Sequence, residues 1–405
     1  MKRLLYVLWA VAFVLGSIGV YQRLAYGHQP TAYGSYITWG LWVAMYIYFI
    51  GLSAGAFLLS TLVYVFGVRR MERIGKLALF TALVALVAAL VVVWFDIGHM
   101  DRFWKVYTSF AWQSLMAWMV WLYTAYFLLL MVELWFALRA DLAAWSRRPG
   151  LPGRLARLLS LGKTDTSPAA LERDAKVLKV LGGLGVPLAT AFHGGVGALF
   201  GVIGARPYWY SALYPIMFLL AALASGGALL TFIVAFFWPE RGTREHRDLT
   251  ILLGRLTLGL LALDILTEWA EFSIHTYVAI PSTAEAYKLV LFGPHWWAFW
   301  IVHLGLGVLV PGAILILRGT RVAWVGVAAF LIASTFISAR LNIVIPALAI
   351  PELRGLERAF IDPRLGFYYF PSLMEWMVGI FVVALGVALF YVGYKALPIV
   401  ETREV

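Results

Sequence analysis

Long uncharged runs separated by short charged clusters set the pattern of this chain. Ten windows approach or exceed the roughly 20 apolar residues that cross a bilayer: 4–21, 37–68, 77–97, 109–138, 178–204, 212–238, 249–279, 292–317, 322–343 and 372–394. Each predicts a helix, because in hydrocarbon every backbone N–H and C=O must be satisfied within its own segment. The second, fourth and seventh windows are long enough to tilt or to project from the membrane. The first follows Lys2 and Arg3, but no small-residue cleavage site follows Leu15–Tyr21, so it reads as a span rather than a signal peptide. The predicted fold class is an all-α polytopic membrane protein with about ten transmembrane helices, arranged as two four-helix bundles plus flanking helices.

Charge adds an orientation. Lys2, Arg3, the cluster Arg69, Arg70, Arg73 and Lys76, the stretch from Arg139 to Lys179, then Arg241, Arg244 and Arg247, Arg318 and Arg321, and finally Lys395 and Arg403 fall on one side of a ten-span topology. The other side receives only Arg23, Arg102, Lys105, Arg206, Lys288, Arg354, Arg358 and Arg364, while Arg255 and Arg340 stay inside windows. Cytoplasmic loops carry the excess of Lys and Arg, so both termini are expected in the cytoplasm. The composition agrees: 62% of residues are hydrophobic and only 13% charged, where soluble domains carry about a quarter charged residues. The net charge of +11 follows from this topology and from anionic lipid as a partner, so no nucleic acid is expected. Cysteine is absent, which excludes disulfides, thiolate metal sites and iron–sulfur ligation by this chain.

The windows divide the chain into a first helix and outer loop (1–35), helices two to four of an N-terminal bundle (36–138), a cytoplasmic linker (139–177), helices five to nine that complete the first bundle and form a second (178–343), and an outer loop with the last helix (344–405). The linker carries Pro149-Gly150-Leu151-Pro152-Gly153 and a basic amphipathic stretch. The outer segment 344–371, with Pro346, Pro351 and Pro363, is expected to pack over the outer mouth of the second bundle.

Ionisable residues inside spans cost roughly 2.5–3.5 kcal/mol each at a helix centre, so each needs a partner or a function. Asp264, Glu268, Glu271 and His275 share one stripe of the seventh helix, with Asp264 near mid-membrane and the others climbing outward. Arg340 and Asn342 close the ninth span and Glu375 opens the tenth, which predicts a buried Arg–Glu network near the outer side. The stripe serves either as a proton path or as a purely structural neutralised cluster.

A second group gathers at the outer end of the third span: Asp96, His99, Asp101, Arg102 and Trp104, then Ser109, Gln113, Ser114, Met116 and Trp118 entering the fourth. A quinone headgroup needs a donor to each carbonyl oxygen, a proton acceptor and a flat apolar wall. This set supplies all three, although an ordinary interfacial belt has the same composition. In the second span, Gly51 and Gly55 stand four apart and permit close helix contact. Seven histidines raise the question of haem. His193, His275, His295 and His303 fall on different helices or depths, and His193 with His275 or His295 is the nearest approach to an axial pair.

Several of these motifs, in order, resemble a known family. Tyr48-Phe49-Ile50-Gly51-Leu52-Ser53-Ala54-Gly55, Asp96-Ile97-Gly98 with Asp101-Arg102-Phe103-Trp104, and Ser114-Leu115-Met116-Ala117-Trp118 resemble the N-terminal half of the NrfD/PsrC family, the membrane subunits of polysulfide-reductase-type complexes. Phe299-Trp300, Arg340-Leu341-Asn342, and Tyr369-Phe370-Pro371-Ser372 with Glu375-Trp376 are similar to its ten-helix branch, which includes HybB and DsrP. The resemblance implies a haem-free quinone-reactive subunit that binds menaquinone or another quinone near the outer face. It also implies an outer-face, four-cluster ferredoxin-like iron–sulfur subunit as partner, with further redox subunits such as a catalytic subunit or a cytochrome c, in a prokaryotic cytoplasmic membrane.

Asp96, Arg102, Ser114 and Trp118, and Arg340, Asn342 and Glu375, are the positions it carries over. This chain departs from the pattern at His99, where relatives often have Arg, and at Tyr46, where a polysulfide-reductase-type member has a quinone-contacting His. On this reading Asp96 and His99 handle the protons. Tyr46, Arg102, Gln113, Ser114, Trp118 and His193 complete the headgroup set, and the Asp264–His275 stripe with Arg340, Asn342 and Glu375 forms a proton path. A haem b-carrying anchor remains an alternative. So does a proton-coupled secondary transporter, for which Gly182, Gly183, Gly185 and Pro187, and Gly305, Gly307, Pro311 and Gly312, would mark broken helices.

Overall fold

A computed structural model describes residues 2–353 and 355–400, so Arg354 and Arg403 of the charge pattern lie outside the described residues. Among the described residues there is no strand, and ten helices are long and apolar enough to cross a membrane. They are α1 (Lys2–Tyr26), α2 (Leu41–Tyr64), α3 (Gly75–Asp96), α4 (Leu115–Trp145), α5 (Pro168–Gly201), α6 (Tyr214–Phe237), α7 (Arg244–Val278), α8 (Ala298–Arg318), α9 (Val322–Leu348) and α10 (Leu373–Ala396). Several start where a hydroxyl side chain accepts the first free N–H groups: Ser114 from Ala117, Ser167 from Ala170 and Thr243 from His246, with a full capping box between Ser372 and Glu375.

Helices α2, α3, α4 and α5 close one four-helix ring, and α6, α7, α8 and α9 close a second. Helices α1 and α10 pack on each other, and α10 also lies against α3. The rings meet where α2 lies on α6. A Cβ on Gly226 of α6 would fall 2.7 Å from the Gly55 Cα and 2.7 Å from the Leu52 carbonyl oxygen, so backbone rests on backbone. Without a hydrophobic force between helices in lipid, this close approach of small residues supplies the packing.

Several boundaries move from the sequence expectation. Helix α4 runs on to Trp145 and α5 starts at Pro168, because the buried ion pair Arg139–Asp174 lets both helices continue past the apolar window. The linker is thereby reduced to 146–167, which contains the short helix Leu151–Leu159. Residues 281–292 form a separate helix, and α8 begins only at Ala298. Its first twelve residues, Ala298–Leu309, are wound as a π-helix, a rare geometry that recurs at functional sites. Helix α9 continues through Pro346 to Leu348.

The segment after α9 also lies elsewhere than expected. It packs chiefly on residues 33–41 rather than over the second ring: Ser35 N–H donates to the Arg364 carbonyl at 2.7 Å, Tyr36 stacks on Phe367 at 4.4 Å, and Leu41 N–H donates to Tyr369 Oη at 2.8 Å. Aromatic pairing between the two segments is the reason. Its start touches the second ring's loops, through Arg206 and Glu352 at 2.9 Å.

Candidate functional site

Two polar sites open inside the protein. The first is built around Asp96. Arg23 of α1 donates to the carbonyls of Phe95 and Ile97, both at 2.7 Å, which places a cation on the C-terminal end of α3 and fixes it. Tyr33 Oη donates to Asp96 Oδ1 at 3.1 Å. Burial and the neighbouring Asp96 charge push the Tyr33 phenol well above its ordinary range, so it stays a donor at physiological pH.

The Tyr33 ring lies against Tyr369 at 5.9 Å, and Tyr369 donates to Glu375. The other Glu375 oxygen accepts the backbone N–H groups of Ala32 and Ser372, both at 2.9 Å. Glu375 thus ties three segments together beside the Asp96 site. This corrects the expected Arg340–Glu375 network: the residue opens α10, which flanks the first ring, and its oxygens are already occupied.

Asp96, Tyr33, His28, Thr31, Ser35, Thr38, Trp39 and Arg364 line a cleft of about 370 Å³, within the range of small-molecule sites. His28 Nε2 is buried and has no partner within the protein. Burial, and then the nearby Arg23 charge, hold its imidazole below the usual histidine range. The cleft therefore combines a carboxylate, a phenol donor, a neutral imidazole nitrogen, hydroxyls and the flat face of Trp39.

The second site lies in the ring of α6–α9. Asp264, Glu268, Glu271, His303, Arg340, Asn342, Tyr208 and Tyr287 line a cavity of only about 40 Å³, room for roughly three waters. His303 Nε2 donates to Glu268 at 2.8 Å, and Ser211 donates to Glu271 at 2.9 Å. The Arg340 guanidinium lies 4.5 Å over the Phe218 ring, within electrostatic reach of Asp264 and Glu268. Asn342 accepts from Tyr208 through its backbone carbonyl at 2.9 Å, and its side-chain Nδ2 is buried without a partner. His275 lies outside the cavity lining, donating from Nδ1 to the Glu271 carbonyl at 2.8 Å and stacking on Tyr287.

The remaining candidates separate from these sites. His99 and Arg102 are exposed around Asp101, Gln113 is exposed, and Ser114 serves as the α4 cap. Trp118 is also exposed and donates to the Trp112 carbonyl at 2.9 Å within an aromatic cluster with Phe110. Tyr46 lies behind the cleft, within electrostatic reach of Asp96. His193 is wholly buried against Gly51 and Phe218, between the two rings, with neither ring nitrogen hydrogen-bonded. Three cleft residues were missed by sequence reasoning: His28, Tyr33 and Trp39. Their signal was a hydroxyl- and aromatic-rich stretch between the first two apolar windows, longer than a tight turn requires.

A multi-pass helical membrane protein with a headgroup-sized cleft and a separate, enclosed carboxylate–arginine cavity is the class these features define. Within that class the chain belongs to the NrfD family, whose description, polysulphide reductase NrfD, matches residues 30–352. It is 37% identical to a membrane-family relative named as part of the selenate reductase of Mesobacillus selenatarsenatis, over 100% of this chain and 96% of that protein. It is 26% identical to the Hdr-like menaquinol oxidoreductase integral membrane subunit of Archaeoglobus fulgidus, over 91% of this chain and 87% of the relative. It is also 25% identical to the menaquinone reductase integral membrane subunit of Nitratidesulfovibrio vulgaris, over 96% and 90%.

Proposed function

We propose that this chain is the quinone-reactive subunit of a respiratory oxidoreductase complex in a prokaryotic cytoplasmic membrane, and that the Asp96 cleft holds the quinone headgroup. The observation that carries this reading is the Asp96–Tyr33 pair facing a cleft of about 370 Å³ beside an unpartnered His28 Nε2. Two relatives are named for menaquinol or menaquinone and a third for selenate reduction, which supports membership of a multi-subunit redox complex. The loop charge pattern supports an outer-face cleft and cytoplasmic termini. An outer-face iron–sulfur subunit then takes the electrons, passing them to further redox subunits.

Oxidation of a quinol releases two electrons and two protons. Asp96 accepts one proton, oriented by the Tyr33 hydroxyl. His28 Nε2 accepts the second, and Trp39 supplies the flat wall against the ring. In the reverse direction the same groups donate. The Asp264–Glu268–His303–Arg340 cavity is too small for a headgroup and suits protons and waters, so it serves as a proton path in the second ring. Extraction of the purified complex tests the reading: quinone is recovered with the wild type, and quinol turnover collapses in Asp96→Asn. A complex that retains no quinone and turns over unchanged in that variant refutes it.

A further inference from the structure

Glu133 of α4 has no part in either site. Its side chain is fully buried, and neither carboxyl oxygen has a hydrogen-bond partner. An ionised carboxylate left unpaired in apolar surroundings is far too costly, so a group in this position carries a proton. Further along α4 and α5 in the first ring stand Arg139 and Asp174, and these pair with each other. On α5 the neighbour is Gly182, where a Cβ would stand 3.4 Å from Glu133 Oε1.

Hydroxyl groups continue from Glu133 in one direction. Tyr126 lies two turns back along the same face of α4, about 10 Å away at 1.5 Å per residue, and within electrostatic reach of Glu133. It is buried, and its hydroxyl donates to the Ser53 carbonyl at 3.3 Å and approaches Ser53 Oγ at 3.4 Å. Tyr123 interacts electrostatically with Tyr46, and Tyr46 with Asp96. In the other direction the Arg139–Asp174 pair leaves Arg139 Nη2 and Asp174 Oδ1 without partners. Such polar groups have no packing purpose in a ring otherwise filled by aliphatic and aromatic side chains.

We propose that Glu133 is a proton-holding carboxyl on a hydroxyl-lined route through the first ring, running between the Arg139–Asp174 pair and the Asp96 cleft. Only its Asp96 end rests on the quinone reading. The step moves a proton alone: the Glu133 O–H passes its proton to a water on one side and regains one from the other, with no change in oxidation state.

The test is infrared spectroscopy of the purified complex transferred from H₂O to D₂O, following the carboxyl C=O band. Expected is a band of a protonated carboxyl that is lost in Glu133→Gln, a neutral isostere, but kept in Asp264→Asn. Its deuteration is expected to slow at least about tenfold in Tyr126→Phe. An unchanged band in Glu133→Gln overturns the protonated carboxyl, and an unchanged exchange rate in Tyr126→Phe overturns the route. Neither readout needs quinol turnover, so a failure of the quinone reading leaves this result standing, and the reverse.

Discussion

The cleft at Asp96 and the cavity at Asp264 use nearly the same chemistry and differ in room. Each sets acidic side chains against phenols and an imidazole, and each lies near an arginine. One encloses about 370 Å³ and the other about 40 Å³. The first reaches its size because loop segments 28–39 and 349–372, rather than helices, form most of its walls, and loops can leave a gap between aromatic pairs. The second is walled by helices packed at close range. Volume, rather than the identity of the acidic residues, separates a site for a headgroup from a site for protons.

The largest effect that sharpens this contrast is expected in Asp96→Asn. Loss of a positioned proton acceptor lowers turnover by about 10²–10⁴-fold, measured as quinol oxidation in membranes, while the protein level is unchanged. Arg340→Met acts on the other site. It leaves the buried Asp264 and Glu268 without their cation, and breaking such a pair costs roughly 3–5 kcal/mol, read as a lower thermal midpoint in detergent. Equal turnover losses in these two variants would erase the distinction between the sites.

Thr38→Trp fills the cleft and is expected to reduce quinone affinity by more than about tenfold, since a blocked pocket loses shape complementarity. Tyr33→Phe removes one hydrogen bond to a carboxylate, worth roughly 1.5–3 kcal/mol; turnover falls by about one to two orders of magnitude. Smallest is the effect of Asp264→Asn on quinone binding, expected within about twofold because small effects follow from sites that share no partners. A large loss of affinity there would move the headgroup into the second ring.

The helices were legible because hydrocarbon leaves the backbone so few options: apolar length alone located all ten spans, and loop charge ordered them. The carboxylate stripe of α7 was legible for the same reason, since helical spacing forces Asp264, Glu268 and Glu271 onto one side, where the structure finds them around one cavity. Glu375 was misplaced because span order says which end of a helix a residue occupies but not which neighbour it faces. The walls of the Asp96 cleft were illegible for a related reason. His28, Tyr33 and Trp39 reach Asp96 only through loop–loop pairing with the segment around Arg364 and Tyr369, contacts roughly 330 positions apart in sequence that no periodicity encodes. Glu133 was hidden among aliphatic residues of a long window, and only its unpartnered oxygens distinguish it.

The central claim, that the headgroup occupies the loop-walled cleft, is tested most directly by photolabelling the intact complex with an azido-quinone and mapping the modified peptides. Labels on residues 28–39 and 95–99, suppressed by excess quinone and absent in Thr38→Trp, are the predicted result. Labels confined to 264–272 and 336–343 would contradict the account and place the quinone in the second ring.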